Sequence, residues 1–156
     1  MKLHFLKTTW SDIIILENNK QIALVDTGYD EQFQQIEKYL DRMHVKDISF
    51  ILLTHFHKDH YGSIERLVNR YNVEKVYFKN YSGLDKTTAQ GTLADNEYRK
   101  KEIKNSDKIK SIIKEKSKLI YVENIKEIKF NNYIIKLYNN SNSIKEIYED
   151  RNYSNT

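Results

Sequence analysis

The sequence predicts an α/β domain with helices packed on a sheet. Three observations carry that expectation. Between residues 21 and 79 the apolar period switches repeatedly between two and about 3.6, giving the order strand, helix, strand, helix, strand. The strand at 48–53 is mostly apolar, as expected for a central strand covered on both faces. The chain has 156 residues, 39% of them hydrophobic and 31% charged, which is enough for one domain with a real core.

The elements follow in order. Residues 3–7 and 12–16 read as two strands joined to a third at 21–25, with the polar stretch Glu17-Asn18-Asn19-Lys20 as a hairpin turn. The third strand runs into Asp26-Thr27-Gly28, where glycine permits a sharp exit. Phe33, Ile36, Leu40 and Met43 then fall at helical spacing, so residues 31–43 form an amphipathic helix with Asp30 as its N-cap. After the strand at 48–53, a helix at 63–71 buries Ile64, Leu67, Val68 and Tyr71, and residues 75–79 return as a strand. Residues 81–95 read as a loop. A charged helix at 97–116 carries a thin apolar stripe through Ile103, Ile109, Ile112 and Ile113. Short strands are expected at 119–123, 125–130 and 133–137, the last two joined by Asn131-Asn132. The Asn/Ser-rich end, 139–156, is expected to be loosely ordered, and the whole of 1–156 reads as one domain.

Composition removes several classes of function. There is no cysteine, so neither a disulfide framework nor a thiolate metal site can form. No stretch approaches the roughly 20 apolar residues that span a bilayer, and the N-terminus lacks the longer apolar core of a secretory signal. A cytoplasmic location and no membrane partner are therefore expected. The net charge of +4 is local: residues 99–118 hold nine Lys or Arg against three Asp or Glu, while the rest of the chain is slightly acidic. That segment is the one place where phosphates of a substrate could be held, but a solvated helix face is the plainer reading of it.

Chemistry concentrates in Thr54-His55-Phe56-His57-Lys58-Asp59-His60-Tyr61-Gly62, which places three of five histidines and an aspartate within six positions, directly after a buried strand. In an extended segment residues two apart share a face, so His55 and His57 can converge on one ion. Asp59 and His60 follow where the chain leaves the strand, able to point at a second ion beside the first. Imidazole and carboxylate donors without thiolate favour zinc, with manganese or iron as substitutes. The cluster sits at a strand's C-terminal end, where open α/β sheets gather ligands. His4 and His44 lie apart from it and read as structural or surface histidines.

This motif, the upstream Leu24-Val25-Asp26-Thr27-Gly28 and the strand-rich start together resemble the metallo-β-lactamase superfamily. Within it, Leu3-His4-Phe5-Leu6 followed by Asp12-Ile13-Ile14-Ile15 is similar to the metallo-hydrolase domain of ComEC-type competence proteins. That family usually has Gly-Gln-Gly-Asp before the second strand; here the turn is Thr9-Trp10-Ser11-Asp12, which keeps the aspartate. The match covers roughly residues 2–80. The resemblance implies the N-terminal half of a four-layer αββα sandwich, truncated and incomplete at its C-terminus. It implies His55 and His57 as ligands of a first metal, Asp59 and His60 as ligands of a second, Asp59 also as a catalytic group that orients or deprotonates water, and Asp26 as a residue behind the ligands that fixes the motif loop. An ordinary turn aspartate is an equal reading of Asp26.

The superfamily completes its site with a further histidine, a bridging aspartate and a last histidine, and no histidine follows His60 here. None of Asp85, Asp95, Asp107 or Asp150 follows a convincing strand, so none is assigned as the bridge. Two functions are therefore expected from different classes. One is a metal-dependent hydrolase, with one or two zinc ions and a phosphodiester or nucleic-acid substrate implied by the ComEC-like pattern. The other is an inactive relative acting as a binding or regulatory module, or as part of a longer or partner-completed hydrolase. Oligomeric state is left open.

Overall fold

The computed structural model describes residues 1–80 and 93–138. The loop expected over 81–95 lies mostly outside the described residues, and the tail from 139 lies wholly outside them.

The chain opens as an antiparallel meander of β1 (Lys2–Phe5), β2 (Ile14–Asn18) and β3 (Gln21–Val25). Relative to the expected 12–16, β2 is displaced by two residues. Three consecutive isoleucines, Ile13 to Ile15, carry no alternation to identify a face, so pairing with β3 decides the register. The turn is accordingly tighter than its composition suggested. Asn18 pairs with Gln21, leaving Asn19 and Lys20 to reverse the chain with φ of 48° and 68°. Positive φ at both central residues gives the turn whose twist matches the flanking strands.

A short 3-10 turn, Asp30–Gln32, leads into α1 (Phe33–Arg42), which buries Phe33, Ile36 and Leu40. Asp30 is not the N-cap, because it lies inside that first turn. The Tyr29 backbone N–H donates instead to Gln32 Oε1 at 2.9 Å. The strand expected at 48–53 is divided into β4 (Asp47–Ile48) and β5 (Phe50–Leu53). Ser49 donates its N–H to the Ile22 carbonyl at 2.7 Å. There the chain passes from pairing with β6 (Asn72–Val73) to pairing within the main sheet. All four residues of β5 are buried, as a central strand requires.

Two helices, α2 (Lys58–Tyr61) and α3 (Ile64–Arg70), precede β7 (Lys75–Phe78), and α4 (Leu93–Lys116) precedes β8 (Lys118–Tyr121). The main sheet has the order β1-β2-β3-β5-β7-β8, parallel from β3 onward. A separate hairpin of β9 (Glu127–Phe130) and β10 (Tyr133–Lys136) turns at Asn131-Asn132, as expected.

Strands β2, β3, β5 and β7 divide their side chains between two cores. Ile15, Leu24, Ile51, Leu53, Val76 and Phe78 pack under the helices, with Ile36, Leu40, Ile64 and Leu67. Leu16, Ala23, Phe50, Leu52 and Tyr77 face the other way and pack against Ile128 and Phe130 of the hairpin. The hairpin is docked by polar contacts as well: Asn18 Nδ2 donates to the Phe130 carbonyl and Asn132 Oδ1, and Asn131 Nδ2 donates to the Asn18 carbonyl.

The buried stripe of α4 differs from expectation. Its buried residues include Glu102, Ser106, Ile109 and Ile113, while Ile103 and Ile112 are only partly covered. Choosing apolar residues alone turned the expected face about one position away from the true one, because two polar residues occupy the inward row. Lys100, Lys101, Lys104, Lys108, Lys114 and Lys116 are exposed. Lys108 pairs with Glu65 at 2.9 Å and Lys110 with Asp107 at 3.4 Å. Among the described residues no helix is long and apolar enough to cross a membrane.

Candidate metal centre

Parallel pairing of β3 with β5 aligns Val25 with Leu52, so the two strands release Asp26 and Thr54 side by side at the same edge of the sheet. Asp26 donates its backbone N–H to the Leu52 carbonyl at 2.9 Å, then takes a φ of 56°. That left-handed conformation is uncommon outside glycine, although aspartate tolerates it better than most residues. It turns the carboxylate, 2% exposed as a residue, in under the histidine segment. Asp26 Oδ1 accepts the Thr54 N–H at 2.8 Å, and Oδ2 accepts both the Thr54 hydroxyl at 2.7 Å and His60 Nδ1 at 2.8 Å. Thr27 completes the clamp, donating its N–H and its hydroxyl to the His60 carbonyl at 2.7 and 2.9 Å.

The segment alternates as its composition suggests. Phe56 is buried and stacks on Tyr61, while His55 and His57 turn outward with ring centroids 4.6 Å apart. His57 is extended, and its carbonyl accepts the N–H groups of His60 and Tyr61 at 2.9 and 3.0 Å. The chain therefore leaves the strand through α2, a single short turn of helix that lies inside the motif. That turn brings His60 back over His55, ring centroids 3.8 Å apart, and sets Asp59 Oδ2 3.2 Å from His60 Nε2. His55, His57, Asp59 and His60 are thus brought into one cluster. His4 and His44 lie elsewhere: His4 contacts Glu17 and Tyr39, and His44 lies in the turn after α1 with a φ of 55°.

The hydrogen-bond pattern assigns protons. A carboxylate only accepts, so His60 Nδ1 carries the proton in its bond to Asp26. The single Thr54 hydroxyl proton goes to Asp26, so the 3.0 Å contact between Thr54 Oγ1 and His55 Nδ1 requires the proton to be on His55. One buried aspartate thereby fixes both tautomers and leaves Nε2 of each imidazole as the lone-pair nitrogen, the form that coordinates metals. Burial, followed by the neighbouring His60 and His57, holds the His55 pKa below its ordinary 6.5, which further favours the neutral ring.

The donor set fits a metal ion in chemistry and nearly in spacing. His60 has a carboxylate oxygen on each side, from Asp26 at Nδ1 and from Asp59 3.2 Å from Nε2, so a metal cation taken up at Nε2 would meet the Asp59 carboxylate as well. An ion about 2.0–2.1 Å from each nitrogen keeps ring centroids roughly 5 Å apart; the His55–His57 pair matches this, and His55 and His60 must separate slightly. Consistent with that closed packing, among the described residues no group of three or more His, Asp or Glu side chains stands ready to hold an ion as the side chains lie.

Thr54, Thr27 and Gly62 lie within the two sequence motifs, but the sequence reading gave none of them a role. Gly62 shows how closely the loop meets the Asp26 turn: a Cβ there would lie 2.6 Å from Asp30 N and 2.7 Å from both the Gly28 and Lys58 carbonyl oxygens. Backbone atoms cannot yield cheaply, so Gly62→Ala is expected to lower stability by about 1–3 kcal/mol. Urea denaturation measures this, and an unchanged midpoint contradicts the close packing.

A family model described as the metallo-beta-lactamase superfamily matches residues 11–129. Among solved structures, a metallo-beta-lactamase of Cronobacter sakazakii with an HARLDQ motif is similar at 24% identity, over 50% of this chain and 30% of that one, with a TM-score of 0.45. The metallo-beta-lactamase SMB-1 is similar at 26% identity, over 48% and 29%, with a TM-score of 0.43. The subclass B3 metallo-beta-lactamase BJP-1 of Bradyrhizobium japonicum is similar at 21% identity, over 48% and 29%, with a TM-score of 0.42. The chain matches under a third of the length of each. No curated protein matches.

Proposed function

The chain belongs to the metallo-β-lactamase superfamily, and from that premise we propose that it carries the first half of a hydrolytic zinc centre, with His55, His57, Asp59 and His60 as the metal-holding residues. The observation that carries the reading is the doubly flanked His60, whose Nε2 faces Asp59 while Asp26 holds the opposite nitrogen. When bound, the metal supplies a Lewis acid and acidifies water towards neutrality. The protein's own part is to hold two imidazoles as Nδ1–H tautomers through Asp26 and Thr54, and to keep a carboxylate beside them. Asp59, with its side chain 30% exposed, can orient a water or accept its proton.

The substrate class we propose is a phosphodiester, in a nucleotide or nucleic acid, following the ComEC-like pattern of the N-terminal strands. Purified chain loaded with zinc or manganese is expected to cleave a generic aryl phosphodiester or single-stranded DNA, and Asp59→Asn is expected to abolish cleavage even at metal concentrations that restore full loading. No cleavage despite about one bound metal per chain rejects the hydrolase as a property of this chain alone.

A second reading has its own support. Four donors shared between two ions leave both short of the usual three protein ligands, and no histidine follows His60 in the sequence. On that reading the chain binds one ion through His55, His57 and His60, and donors from elsewhere in a longer protein or from a partner complete the centre. Metal binding without hydrolysis is its signature.

A further inference from the structure

We infer that Glu102 is a positioning residue for the histidine loop, acting through the hydroxyl of Tyr61. The inference rests on the metal reading for its consequence, but its geometry is independent of that reading. Glu102 sits on the inward face of α4 at 2% exposure, in the most basic segment of the chain. Burying a carboxylate is costly unless it is hydrogen-bonded. Glu102 Oε2 accepts the Tyr61 hydroxyl at 3.2 Å, and Oε1 accepts Asn105 Nδ2 at 3.1 Å.

Tyr61 is placed where such an anchor matters. It follows His60 directly, and its N–H is bonded to the His57 carbonyl. Its ring, 6% exposed, stacks on Phe56 at 4.0 Å with the planes 9° apart, and Phe56 stands between His55 and His57. Phe56 in turn packs on Phe78 at the end of β7. The two aromatic rings therefore interleave with the four proposed donors, and the depth at which the pair sits sets how the histidines project. Stacking holds the face of the Tyr61 ring, and the bond to Glu102, 41 residues away, holds its hydroxyl end. Asp26 sets the tautomers from the sheet side, and Glu102 sets the position of the loop from the helix side.

Cobalt(II) titration followed by its visible absorption, together with amide hydrogen exchange of the metal-free chain, tests this. Tyr61→Phe keeps the ring and removes the hydroxyl, and Glu102→Leu removes the acceptor. Each is expected to weaken cobalt binding roughly tenfold, to shift the absorption bands, and to speed exchange of the His60 and Tyr61 amides. The two together are expected to be no worse than one. Glu102→Gln should restore both readouts, since its carbonyl oxygen can accept the Tyr61 hydroxyl while Asn105 rotates its amide. Wild-type cobalt affinity, bands and exchange in Tyr61→Phe overturn the inference, as does failure of Glu102→Gln to rescue. If Glu102→Leu does not fold, Tyr61→Phe decides alone. A wild-type chain that binds no cobalt rejects the metal reading, and the exchange data then judge the positioning claim by themselves.

Discussion

Purified chain is expected to hold about one zinc ion, and His55→Ala and His57→Ala are each expected to weaken that binding by more than about a hundredfold, since removing a group behind a ligand already costs 10–100-fold. The two residues contribute differently to the site. His55 is partly buried, lies against both other rings and has its tautomer held by Thr54, whereas His57 is exposed and meets His55 edge to face. His57→Ala thus removes a donor while leaving the hydrogen bonds described around Asp26 untouched, so its folding midpoint should stay within about 0.5 kcal/mol of wild type. Metal analysis after gel filtration, with calorimetric titration of zinc, measures the effect. Equal and near-zero zinc in wild type and both variants means that this chain holds no working centre.

Asp26→Asn is expected to separate stability from metal binding. The amide oxygen can still accept the Thr54 N–H, and asparagine tolerates the positive φ, so stability should fall by only about 1–2 kcal/mol. The amide nitrogen, however, is a donor. Facing His60 Nδ1 it requires a lone pair there, which moves the ring proton to Nε2. The Thr54 hydroxyl, no longer donating to a carboxylate, can turn its proton towards His55 and favour the same change. Both imidazoles then present N–H where they should present a lone pair, and zinc affinity is expected to drop about 10–100-fold. Nitrogen-15 shifts of the imidazoles report the tautomers directly; unchanged tautomers with wild-type affinity contradict the role given to Asp26. Asp26→Ala goes further, stranding the Thr54 N–H and His60 Nδ1 without an acceptor, and should cost about 3–5 kcal/mol.

Much of the fold was legible because it is written in local periods. The apolar residues of α1 recur at helical spacing and are the ones it buries, and the run Phe50 to Leu53 is covered on both faces. The places that misled share a cause. Ile13 to Ile15 are alike, so only the partner strand could choose which of them face the helices. Asp30 has the chemistry of an N-cap, but the Gln32 side chain meets the Tyr29 N–H and the turn begins a residue earlier. In α4 the inward row contains Glu102 and Ser106, which an apolar stripe passes over; Glu102 is tolerable there because Tyr61 and Asn105 bond it.

By itself the sequence determined which side chains gather in the histidine segment and the edge of the sheet they occupy. His55, His57, Asp59 and His60 are neighbours along the chain, and the strand before them has nowhere to go but the centre of the sheet. Only the tertiary structure decided the hydrogen bonds in which those side chains are held. Thr54 and His60 meet Asp26 across 28 and 34 residues, and Tyr61 meets Glu102 across 41, distances at which no local period operates. Proton placement on an imidazole depends on which acceptor the fold sets beside it. Residue type announces that a histidine can bind a metal, and packing chooses which nitrogen is left to do so.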